Sequence, residues 1–312
     1  MATMCFGKAG DTIWERRSKA ESLKANANRM RGLNPLEANE RLREAAEIFE
    51  DIGRADSVAK CFFELGEYER AGEIYLEKCE EKLKEAGECF SLAGCYNRAA
   101  EVYARGKFFC ECLSACYDGK LFNLGFQYIQ SWRLLEVSKV GTSEGRGKFD
   151  ASAQKLLEGG ALYHYKLKDS GTMMKFVKAF YSDNAMRTFL KKVGCLDELL
   201  HLEMEWGNHL EAANVAELKG DLLMAADILE GGGHLKDASM LILCFVFGKS
   251  LWEITDQGWP LKPFTEKREL LMKAKRIANN VSSHFYEFIC TEANILSDEL
   301  YTLPELKRLL SD

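Results

Sequence analysis

The sequence predicts an all-α fold, an α-solenoid of short antiparallel helices, and three observations predict it. A template of small and apolar residues recurs at a step of thirteen residues, glycines punctuate that template at a fixed phase, and only four prolines occur in 312 residues. A fixed short period decides the fold class before any motif is considered, because each repeat is one supersecondary unit stacked on the next.

The template is clearest from Gly66. With that glycine as position zero, Tyr68, Ala71, Gly72, Ile74 and Tyr75 fall at offsets two, five, six, eight and nine; Gly94 repeats the series with Tyr96, Ala99, Ala100, Val102 and Tyr103. The same frame fits from Glu40, Gly53 and Glu81 and continues more loosely from Gly106 and Gly119, giving steps of 13, 13, 15, 13, 12 and 13 residues. Offsets two, five, six and nine are the spacing of one helical face, and offset eight widens the stripe. A glycine at offset zero suits the left-handed residue that ends a helix, so each unit is about three turns plus a tight connection. Alanine or glycine at offsets five and six lets neighbouring axes approach, with larger side chains at eight and nine filling the space beside them. Helices this short are not stable alone, so stability comes from stacking.

A second array at the same step starts from Gly194, Gly207, Gly220 and Gly233. The domain organisation read from these patterns is a first, acidic array over residues 1–140 and a glycine-rich polar linker over 141–150. A second array follows over 151–247, then a loop with Trp252, Trp259, Pro260 and Pro263 over 248–265, and C-terminal helices over 266–312. Cys5, Phe6, Ala9 and Gly10 carry the phase of Cys61, Phe62, Leu65 and Gly66, so the first residues read as the end of a repeat and the chain as a piece or descendant of a longer protein.

Three strings carry a resemblance. REAAEIFEDIG (Arg43 to Gly53), AKCFFELGEYERAGEIYLEKC (Ala59 to Cys79) and AGECFSLAGCYNRAAEVYARG (Ala86 to Gly106), within the run Cys5 to Trp132, are similar to the plant proteins called TPR and ankyrin repeat-containing, which carry a UvrD/Rep-type helicase region. SSHFYEFICTEANILSDE (Ser282 to Glu299) also resembles theirs. The resemblance falls on the helical part that follows the helicase, so no motor residue transfers to this chain. It implies a tetratricopeptide-like solenoid acting as an adaptor beside a nucleic-acid motor.

Composition excludes several classes. The chain is 47% hydrophobic and 29% charged, a globular balance, and its net charge of −6 gives no global attraction to nucleic acid or anionic membranes. The longest apolar run, Leu241 to Phe247 after Met240, is far short of the roughly 20 residues that span a bilayer. Met1 to Arg31 has no apolar signal core and carries Asp11, Glu15 and Glu21, so a cytoplasmic or nuclear location is expected. The eleven cysteines then read as reduced thiols, and Cys61 and Cys89, at offset eight, as small core residues.

Chemistry-bearing motifs are absent. Gly141 to Phe149 has one residue too many between its glycines for a phosphate loop, and Phe149 stands where a hydroxyl would meet magnesium. Cys110, Cys112 and Cys116 lack the paired spacing of a zinc site, and no GxSxG or HExxH string occurs. The sequence therefore points to a non-enzymatic scaffold without cofactor or metal, holding a protein or peptide partner and no membrane. Arg54, Glu67, Arg70 and Arg98, at or near inter-helix turns, are the candidate partner-binding residues.

Charge distribution supports an alternative. Leu36 to Glu101 holds 17 acids against 9 bases, whereas Arg146 to Lys192 holds 10 bases against 4 acids. In that basic segment Lys166, Lys168, Lys175, Lys178, Lys191 and Lys192, interleaved with Tyr163, Tyr165, Phe176, Phe180 and Tyr181, could contact a nucleic-acid backbone. An ordinary amphipathic helix, aromatics inward and lysines solvated, has the same spacing.

Overall fold

The computed structural model describes residues 12–136, 143–252 and 266–297. These residues form seventeen α-helices and one three-residue 3-10 turn, with no strand among them. Two compact units divide at Asp183/Asn184. The first contains α1 (Thr12–Met30), α2 (Pro35–Asp51), α3 (Ala55–Glu64), α4 (Tyr68–Lys78), the 3-10 turn Glu80–Lys82, α5 (Leu83–Leu92), α6 (Tyr96–Arg105), α7 (Phe109–Asp118), α8 (Phe122–Glu136), α9 (Ser143–Lys166) and α10 (Ser170–Val177). From the division onward run α11 (Asp183–Val193), α12 (Leu196–Glu205), α13 (His209–Leu218), α14 (Leu222–Gly231), α15 (Leu235–Trp252), α16 (Lys267–Asn279) and α17 (Ser283–Ser297). Within each unit the helices pack chiefly on their chain neighbours, which is the predicted all-α solenoid. No helix among the described residues is long and apolar enough to cross a membrane.

One turn, repeated, sets the period. Between α3 and α4 the Gly66 N–H donates to the Phe63 carbonyl at 3.1 Å and the Glu67 N–H to the Phe62 carbonyl at 3.0 Å, with Gly66 left-handed at φ 79°. This is the Schellman pairing that satisfies the last carbonyls of a helix. Glu67 is at once the residue after the left-handed one and the N-cap of α4, so the connection is only the three residues Leu65, Gly66 and Glu67, and α4 runs back antiparallel to α3. The carbonyl at offset nine accepts the same bond in turn after turn: Phe49, Phe62, Phe90 and Tyr103, then Leu190, Glu203, Ala216 and Leu229. Offsets five, six and nine are buried in most units, offset nine almost always by a large apolar side chain or alanine.

Gly53, Gly66, Gly94, Gly194, Gly207, Gly220 and Gly233 are left-handed as the period predicts, but Gly106 and Gly119 are not. There the left-handed residues are Lys107 (φ 60°) and Lys120 (φ 55°), so the steps from Gly94 are 13 and 13 residues, not 12 and 13. The glycines one place earlier serve packing: a Cβ on Gly106 would lie 2.6 Å from the Phe108 ring, and one on Gly119 2.5 Å from the Tyr96 Cβ. A measurable consequence follows. Lys107→Gly and Lys120→Gly should each stabilise the chain by about 0.5–1 kcal/mol, because an L-residue in the left-handed well costs about 1–2 kcal/mol and glycine's extra unfolded-state entropy offsets part of the gain. Gly66→Ala should cost about 1 kcal/mol by conformation alone, since its Cβ would meet nothing within 4 Å. Urea titrations of the three variants read both signs.

Within the first compact unit, packing between successive repeats is a ring against a glycine. Phe90 at offset nine lies over Gly72 at offset six of the previous unit, and Tyr103 lies over Gly87 in the same relation. Phe176 against Gly160 repeats the device between α10 and α9.

Three boundaries differ from the sequence reading. The string expected as a linker over 141–150 is helical from Ser143, because α9 continues N-terminally from an apolar stripe anchored by Phe149, which is buried against Phe109 and Trp132; residues 141 and 142 lie outside the described residues. The compact division falls at Asp183/Asn184, where the regular thirteen-residue step resumes. Residues 248–252, expected in a loop, close α15, while 253–265 and the C-terminal stretch from 298 lie outside the described residues, as do Cys5 and Gly10.

Candidate functional site

Alternate helices are stitched by charge. Because α3 separates them antiparallel to both, α2 and α4 run parallel, and Arg43 of α2 donates to Glu67 at 3.3 Å while Lys78 of α4 meets Glu50 at 3.3 Å. Arg98 of α6 lies 3.0 Å from both Glu69 and Glu73 of α4. In the other row Lys24 pairs with Glu64 at 2.9 Å, Lys82 with Asp56, and Lys84 with Glu111 at 3.3 Å. Each is a partly exposed pair of the kind worth about 0.2–1 kcal/mol, so together they align alternate helices more than they stabilise them. Two arginines at offset four also lie over offset-nine rings of the preceding unit: Arg70 4.1 Å from Phe62 and Arg98 4.3 Å from Phe90.

These features enclose a surface groove of about 680 Å³ between the start of α4 and the α5–α6 turn, lined by Gly66, Glu67, Tyr68, Glu69, Arg70, Glu73 and Ala93. Of the predicted partner-binding residues, Glu67 and Arg70 are on its wall and Arg98 reaches across to its acids. Partial burial works against the Arg98 charge, but the hydrogen bonds it donates to Glu73 and Glu69 overcome that and raise the guanidinium pKa above its ordinary value. Arg54 is not part of this group. It is exposed at the N-cap of α3, at the other end of that helix from Glu67, and its turn faces the opposite edge of the array.

The basic segment separates into two parts. Lys166, Lys168, Lys175 and Lys178 are exposed around the α9–α10 hairpin in the first unit, with Lys168 left-handed in the turn; Lys191 and Lys192 are exposed on α11 in the second. The aromatics divide by chemistry. Phe176 and Phe180 are buried, as the amphipathic reading expects, while Tyr163, Tyr165 and Tyr181 are among the exposed large side chains. Tyr163 leans on Phe122 at 5.3 Å and Tyr181 lies under Arg133 at 4.1 Å.

Four cysteines sit in the buried stripes. Cys61, Cys89, Cys112 and Cys116 are buried, and burial pushes the Cys61 and Cys89 thiols up to about 11, leaving them protonated and inert at neutral pH. Among the described residues no three His, Cys, Asp or Glu side chains converge as a metal site requires.

Sequence reasoning missed one buried charge. Glu203 occupies offset nine from Gly194, a core position, and is 1% exposed. Arg187 of α11 donates to it through Nε at 2.5 Å and Nη2 at 2.9 Å, and Asn208 Nδ2 adds a bond at 3.1 Å. The signal was present as an acid at a phase otherwise apolar. Neither protein-family models nor curated proteins returned a match to this chain.

Proposed function

We propose that the chain is a non-enzymatic protein-interaction scaffold, and that the groove at the start of α4 receives a peptide or a protein surface. One observation carries the reading: the groove gathers Glu67, Glu69, Arg70 and Glu73 on an open face whose backbone is fixed by the α3–α4 turn. A rigid scaffold presenting charged side chains of both signs suits recognition by charge register, as repeat arrays with long exposed faces do. The resemblance to the helical part of the plant helicase-linked proteins supports an adaptor role of the same kind.

The test begins with affinity purification of the intact chain, followed by binding of each recovered protein in purified form to the wild type and to Glu67→Lys/Arg70→Glu. The expected result is a partner whose affinity falls at least tenfold in the charge-swapped chain, about 1.4 kcal/mol. Partners that bind both chains equally would remove the groove from the reading.

A second reading, a nucleic-acid accessory domain, is favoured by one feature. Lys166, Lys168 and Lys175 make no ion pair among the described residues, in contrast to the cross-paired lysines of the first six helices. It predicts single-stranded RNA binding that weakens steeply between about 50 and about 200 mM salt and is reduced by Lys175→Glu/Lys178→Glu. Salt-insensitive or undetectable binding in a fluorescence-anisotropy titration ends it.

A further inference from the structure

The second unit carries a different kind of groove. Helices α13 and α15 run parallel on either side of α14, and between them lies a trough of about 290 Å³. Leu210 comes from one wall, Met240 and Cys244 from the other, and Leu229 of α14 forms the floor. Leu210 is 49% exposed and Met240 36%, and α15 continues the apolar ridge one turn on with Phe247 at 53%. Apolar side chains at helical spacing along a wall are normally turned into a core; here Leu210, Met240 and Cys244 line an open channel, with Phe247 exposed beyond it.

Among the described residues its carboxylates are free of cations. Glu217 stands at the C-terminal end of α13 and Asp237 at the N-terminal end of α15, so parallel walls place one carboxylate at each end of the trough, on opposite sides. Neither makes an ion pair among the described residues, whereas Asp197, Glu203, Asp227 and Glu230 of the same unit are all paired. The nearest cation on the same helix, Lys236, is turned over the Phe285 ring at 6.0 Å.

We propose that this trough binds a short amphipathic helical segment of another protein, its aliphatic side chains seated between α13 and α15 and a lysine or arginine at each end of its apolar stripe meeting Glu217 and Asp237. The wall from Leu210 to Glu217 is two helical turns, about 10 Å, and that length matches two aliphatic anchors at i and i+4 flanked by cations. The site is separate from the α4 groove, so either assignment can fail while the other stands.

The probe is a pair of synthetic fluorescent peptides with the same two leucines spaced i and i+4, one flanked by lysines and one by glutamates, titrated by anisotropy against the intact chain. The lysine peptide should bind at least tenfold tighter than the glutamate peptide. Glu217→Lys/Asp237→Lys should invert that preference, Met240→Glu should abolish binding of both, and the control Glu47→Lys/Glu88→Lys, equal in net charge but placed in the first unit, should change nothing. Equal loss in the control, or no inversion in the trough variant, overturns the assignment to this site. A chain that sediments as a dimer and becomes monomeric on Met240→Glu gives the face to a second copy and overturns the peptide assignment as well.

Discussion

Glu203→Ala is expected to destabilise the second unit by about 3–5 kcal/mol, the range for breaking a buried ion pair by removing one partner. The carboxylate is almost fully enclosed, takes two bonds from Arg187 and one from Asn208, and its own backbone carbonyl accepts the Asn208 N–H that closes the turn at 2.9 Å. Truncation removes the carboxylate that accepts from both Nε and Nη2 of Arg187, whose guanidinium lies 5.4 Å from the Trp206 ring. The double variant Arg187→Met/Glu203→Leu should recover most of that loss, because apolar groups of similar volume at this position restore what the other units have at offset nine. Urea unfolding followed by tryptophan fluorescence measures both. A double variant as unstable as the single one would show that the ion pair itself, and not the filling of this position, holds α11 on α12.

The same pair sets an acid limit. Burial alone would raise the Glu203 pKa, but the hydrogen bonds from Arg187 and Asn208 outweigh it and hold the carboxyl below its ordinary value of 4.5. A carboxyl depressed in the folded state contributes stability that is complete above that ordinary, unfolded value and is lost as pH falls through the folded one. Wild-type stability should therefore decline in that acid window more steeply than that of Arg187→Met/Glu203→Leu. Asp56, where the Lys60 and Lys82 hydrogen bonds overcome the effect of burial and lower the pKa, contributes with the same sign in both chains and cancels in the comparison.

The period was legible in the sequence because one position, offset zero, has a backbone demand that side chains cannot disguise. Seven glycines met it by φ, and the apolar stripes between them were buried where the phase put them. Gly106 and Gly119 misled by one residue, since a glycine chosen to make room for Phe108 or Tyr96 looks the same in a sequence as one chosen for its φ. The string from Gly141 to Lys148 misled for the opposite reason: local composition favours a loop, but burial of Phe149 lies outside any local window. Sites across alternate helices were legible only in part. The turns that carry Glu67, Arg70 and Arg98 are visible in the period, whereas the trough between α13 and α15 is lined by residues about thirty positions apart, from Leu210 to Met240, and no spacing along the chain announces it.

The stacking of rings on glycine is the second place where a small change should have a large effect. A Cβ on Gly87 would lie 2.5 Å from Tyr103 Cε1 and 2.7 Å from two more ring atoms. The ring cannot swing clear, being buried and set edge-on to Phe108 at 6.4 Å. Gly87→Ala should therefore cost about 2–3 kcal/mol, near the upper end for overpacking a core, although alanine is by itself the better helix former. Gly72→Ala, whose nearest contact is the Phe90 ring at 3.0 Å, should cost less. Gly147→Ala on α9, with open space around its Cβ, should stabilise by about 0.8–1 kcal/mol. Removing the ring in Gly87→Ala/Tyr103→Leu should make the combined loss smaller than the sum of the two single losses, since the clash needs both the alanine Cβ and the Tyr103 ring. Three alanines ranked instead by helix propensity alone, with Gly87→Ala as favourable as Gly147→Ala, would mean that neighbouring helices adjust freely and that the array is not held at close range by these contacts.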